Sequence, residues 1–271
     1  MKTRGFYPNT SFSNKDTLYY TDKRSEWVYS AVRYNNQDEQ YRKSDLGWAY
    51  PSELRLWSTL ALSIPEGEGK IILYPYDQPI LIKDKDFTLD ISNDDRFIKF
   101  VNKLLYEKIE GISPYFNRKH YDFHHYDFDK TLQESIYSQI SLDDQLLLRG
   151  LSCLIKSSLL MGNYLFSEEA AILIFISLEA ALTIINNRLI ESGLQNPNYD
   201  DIYAYVHNNV NEYFPSYYQE CYENRILLIH PENKYGLNSI PPLEADDYFD
   251  TYDSLISFYR FILLGEKPSY D

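Results

Sequence analysis

The rhythm of apolar positions changes along this chain, from short mixed runs before about residue 93 to long stretches of helical period after about residue 129. Trp27–Tyr34 and Lys70–Tyr74 are rich in β-branched and aromatic residues, as are Pro79–Ile82 and Phe87–Ile91, and all four are read as strands of a small sheet. Pro75 ends the second of them, because proline has no N–H to give to a ladder. A helix is predicted from Asp95 to about Glu110, where Phe97, Val101, Leu104, Leu105 and Ile109 recur at three and four residues and Gly111 closes the run. Residues 112–130 are aromatic, rich in histidine and irregular.

From about Asp129 onward the pattern predicts helices throughout. Ser141 with Asp144 resembles a capping pattern that opens a helical run over Leu142–Met161, ended by Gly162 and Asn163. Ser167 opens a second run to about Ser192, terminated by Gly193 and Pro197. Shorter helices are expected over Asp200–Tyr213 and Pro215–Ile229. A last one, Asp246–Leu264, turns Tyr248, Phe249, Tyr252, Leu255, Ile256, Tyr259, Ile262 and Leu263 inward. The expected class is α+β, with a smaller mixed α/β domain over residues 1–135 and a helical bundle over residues 136–271.

Composition narrows the function classes. A hydrophobic content of 44% over 271 residues supports a packed core. The opening residues MKTRGFYPNT carry no apolar signal-peptide core. The longest greasy run, Ala170–Ile185, contains Glu179 and falls short of the roughly 18 residues that a bilayer span needs. A soluble, cytoplasmic protein without a membrane partner is expected. Cys153 and Cys221 have no paired spacing, so neither a disulfide framework nor a zinc cage is signalled. Net charge is −14 and uneven: residues 1–140 hold 19 Lys and Arg against 21 Asp and Glu, and the remainder 7 against 19. An acidic second half opposes extensive long-range attraction of a polyanion, although a local arginine can still act.

The segment Arg225-Ile-Leu-Leu-Ile-His230-Pro231 places an arginine and a histidine either side of four aliphatic residues. On a continuous helix, residues five apart point about 140° away from each other. Pro231 disfavours the helical region at His230 and ends the helix near Ile229, which frees the imidazole to swing back towards Arg225. Arg225 can clamp a phosphate and His230 can move a proton near neutrality. Asn224 stands beside the arginine, either orienting substrate or facing water. Glu179 lies among Phe175, Ile176, Leu182 and Thr183, and a carboxylate on so apolar a face is expected to be buried and paired, with Arg225 as the natural partner. That pair would serve either catalysis or the register of two helices.

A competing cluster is His120-Tyr-Asp-Phe-His124-His125-Tyr-Asp-Phe-Asp129, where imidazoles four apart on a helix with Asp122, Asp127 and Asp129 nearby would suit a transition metal. A solvated or interdomain loop is the alternative, since the repeated Tyr-Asp-Phe does not make a clean helix. His207 is expected at the surface or half-buried. No glycine-rich phosphate loop, nucleophile elbow or dinucleotide fingerprint occurs, and no cofactor is expected.

The helix with Leu178-Glu-Ala-Ala-Leu182, the helix-end Arg225-x4-His230 and the terminal helix with Asp250-Thr-Tyr-Asp253 together resemble the HEPN superfamily of helical bundles over residues 136–271. The resemblance implies a metal-independent endoribonuclease of a bacterial toxin or anti-phage defence system, with Arg225 and His230 catalytic and Glu179 and Asn224 supporting. It also implies an RNA substrate, a homodimer, and an antitoxin or regulatory protein as a further partner. The residue after the arginine is Ile226, where the superfamily often has a polar one. A non-catalytic HEPN-like module that binds a nucleotide or a protein is therefore the second expectation, and a metal-dependent hydrolase using the 120–129 cluster the third.

Overall fold

The computed structural model describes residues 2–4, 6–8, 12–13, 17–22, 27–32, 50–64, 72–74, 124–126, 128–161, 166–210 and 245–265. Contacts divide the chain into two compact units, one of residues 1–56 and 63–133, the other of residues 57–62 and 134–271.

In the first unit, strands β1 (Lys2–Arg4), β3 (Phe12–Ser13), β4 (Thr17–Asp22), β5 (Trp27–Val32) and β6 (Ile72–Tyr74) form an antiparallel sheet in the order β3-β4-β5-β1-β6. Strand β2 (Phe6–Pro8) pairs in parallel with β7 (His124–Tyr126). The register sets Phe12 opposite Tyr19, and their rings stack at 5.9 Å. Thr17 and Tyr19, two apart on β4, are both buried, as the two-residue period of a strand requires when one face is covered. The Tyr19 hydroxyl accepts a hydrogen bond from the Gln133 amide, and burial pushes its pKa well above the usual tyrosine value.

Helix α1 (Pro51–Leu62) is shared between the units at Leu56 and Trp57. Pro51 suits a first helical position because the N–H it lacks would be unpaired there. The Glu53 carboxylate takes the Tyr50 backbone N–H at 3.0 Å. Leu54, Trp57, Leu60 and Ala61 then fall at helical spacing and are all buried.

The second unit is built from α2 (Lys130–Gln139, its first turn counted with unit one), α3 (Gln145–Met161), α4 (Ser167–Glu191), α5 (Tyr199–Asn209) and α6 (Ala245–Leu264). Asp144 caps α3, its carboxylate accepting from Leu147 N at 2.9 Å. Ser141 instead takes the Asp143 N–H within the preceding turn, so the helix starts three residues after the expected Leu142. Asn198 and Asp201 form a reciprocal capping box on α5, at 3.0 and 2.9 Å. Helix α4 ends as the sequence predicts at Gly193, whose φ of 102° few other residues tolerate. Its N–H and that of Leu194 return to Ile190 O and Leu189 O.

Helix α3 packs along α4, which also meets α5 and α6. The interface mixes aliphatic side chains with hydroxyls. Ser157 Oγ donates to Leu154 O at 2.8 Å, so Tyr248, 2.9 Å away, donates to Ser157. Tyr259 donates to Ser177 O at 2.8 Å and lies 3.1 Å from Ser177 Oγ. Two arginines satisfy carbonyls that helix ends leave open: Arg188 reaches Ile262 O near the end of α6, and Arg260 reaches Leu62 O at the end of α1.

The α+β expectation is overturned by this helix content. Helices dominate the described residues and occur in both halves of the sequence, while the strands are ribbons of two to six residues. Helix α1 stands in the stretch read as short and mixed, because its apolar positions sit three and four apart. The described residues are thus mostly helix-built. The expected strands Pro79–Ile82 and Phe87–Ile91 and the expected helices Asp95–Glu110 and Pro215–Ile229 lie outside the described residues.

Candidate functional site

Asn224, Arg225 and His230 fall within residues 211–244, outside the described residues. The described chain reaches this segment at Val210, a buried residue whose N–H bonds Val206 O at 2.7 Å, and resumes at Ala245, three residues before the buried Tyr248. The candidate segment is therefore bracketed by two helices of the second unit, α5 before it and α6 after it.

Glu179 lies on α4 and is exposed, which corrects the expectation of a buried carboxylate. Its apolar neighbours divide between two flanks of the helix. Phe175 and Leu182, about 40–60° to one side, are buried. Ile176 and Thr183, at similar angles on the other side, are half-buried and exposed. Glu179 stands at the edge of the covered surface, in an open stripe with Thr183 and Asn187 at four-residue steps. Thr183 Oγ1 donates to Glu179 O at 2.7 Å. A carboxylate in solvent does not need a buried counter-ion, so the burial argument for pairing Glu179 with Arg225 no longer applies.

Of the competing cluster, His124 and His125 lie in β7, in register with Phe6 and Tyr7 of β2. That stretch is extended, so the helical four-residue spacing invoked for His120 and His124 does not hold at its second member. Asp129 has a structural role: its carboxylate accepts from Thr131 N at 2.8 Å and Leu132 N at 3.3 Å at the start of α2. Among the described residues, no group of three or more His, Cys, Asp and Glu is placed to hold a metal. His207 is exposed on α5.

Cys153 is buried on α3. Desolvation raises its thiol pKa and outweighs the lowering by the Arg149 and Lys156 charges, so it is a poor nucleophile at neutral pH. Cys221 lies outside the described residues. No described helix is long and apolar enough to cross a membrane.

The sequence reading missed the buried hydroxyls that join α6 to α3 and α4. Burial pushes the Tyr248, Tyr252 and Tyr259 pKa values far above the usual tyrosine range. Their spacing, at residues 248, 252 and 259, was visible as an inward face. The signal for the partners of Tyr248 and Tyr259 is Ser157 and Ser177 standing in otherwise apolar helical runs. This network holds helices together and presents no group to solvent. No family model matches the chain, and no curated protein and no solved structure matches it either.

Proposed function

We propose that this protein is a metal-independent endoribonuclease of HEPN type, acting in the cytoplasm as a toxin or anti-phage effector. One observation carries the reading: the Arg225-x4-His230-Pro231 segment falls between two helices, α5 and α6, of a helix-built unit. His230 would take the proton of a ribose 2′-hydroxyl as it attacks the adjacent phosphate, and return one to the leaving 5′-oxygen. Arg225 would neutralise charge growing on the non-bridging oxygens. The products are a 2′,3′-cyclic phosphate and a 5′-hydroxyl. Asn224 is assigned to substrate orientation, and a homodimer with an antitoxin or regulatory partner belongs to the same proposal. Glu179 is a supporting position only as an exposed carboxylate on α4.

The test is cleavage of RNA in EDTA by wild type, Arg225→Ala and His230→Ala, each checked for folding by circular dichroism. Activity in wild type and its loss in both folded variants is expected. Cleavage that EDTA abolishes would instead favour metal-dependent chemistry.

The acidity of residues 141–271 and the aliphatic Ile226 favour a second reading, a non-catalytic module of the same fold that binds a nucleotide or a protein. A folded wild type that cleaves no RNA yet binds a nucleotide or a protein partner would support it.

A further inference from the structure

We draw no further inference here: the strongest candidate, the exposed apolar surface patch of Ile190, Leu194 and Tyr199 where α4 turns into α5, carries nothing because the structure does not show what covers it.

Discussion

The hydroxyl of Tyr259 occupies the place where a side chain at Gly150 would begin. A Cβ built on Gly150 would collide with the Tyr259 oxygen and lie 3.0 Å from Ala180 Cβ. The ring is fully buried, so a displaced hydroxyl would have to be repacked inside the unit. Gly150→Ala gains about 1 kcal/mol of helix propensity, but it displaces the donor to Ser177 O and overpacks the crossing of α3, α4 and α6. A net loss of about 1–3 kcal/mol is expected. Urea unfolding checks this, and an unchanged or raised midpoint would refute it.

Tyr248 and Tyr252 lie one turn apart on α6, yet their hydroxyls differ. Tyr248 donates to Ser157 at 2.9 Å. Burial raises the Tyr252 pKa and the nearby Ser158 works against that rise, but the Ser158 proton goes to Ile155 O at 2.8 Å, and no well-formed hydrogen bond reaches the Tyr252 oxygen. Tyr248→Phe is expected to cost about 1 kcal/mol. Tyr252→Phe removes a buried, unsatisfied oxygen and is expected to be neutral or stabilising. Denaturant midpoints of the two variants measured side by side decide the ranking.

Alkaline pH should unfold the protein through these same groups. Their folded pKa values are raised by burial above the unfolded value near 10. The unfolded chain therefore loses tyrosine protons first, and their contribution to stability, complete below pH about 10, falls as pH rises beyond it. Each buried tyrosine contributes a slope of about 1.4 kcal/mol per pH unit in that window. Tyr248→Phe or Tyr259→Phe should make the decline shallower, as read from unfolding curves on either side of the unfolded tyrosine pKa.

Glu179→Gln distinguishes an exposed carboxylate from the buried ion pair expected of it. An exposed position predicts a change within about 0.5 kcal/mol, whereas breaking a buried pair costs about 3–5 kcal/mol. If ribonuclease activity is found, its level in this variant reports whether the open stripe of α4 contributes to it.

What was legible in the sequence follows from how local each signal is. The C-terminal end of α4 is legible because Gly193 acts within one turn, whereas its start follows Phe166 and has no side-chain cap, so Ser167 opens the helix by position alone. The α3 cap was misplaced because Ser141 and Asp144 are both good capping residues, and only the geometry of the turn between them selects Asp144. Helix α1 is hard to read from sequence because its apolar positions stand in a stretch of short, mixed runs. Glu179 was misjudged for a different reason: neighbours three and four away reveal the composition of a helix surface, not which flank another element covers. For Arg225 and His230 the residue types and their proline were visible, and their mutual placement rests on the variants described above.

The apportioning of α1 limits how the molecule can be shortened. A fragment beginning at Glu134 would lack Trp57–Leu62, which belongs to the same compact unit as the described helices that follow residue 134. It would forfeit the apolar surface of Trp57, Leu60 and Leu62 and leave the Arg260 guanidinium without the Leu62 carbonyl. Such a truncation would be a damaged protein and not a minimal one, so loss of function in it would say little about the role of the deleted residues.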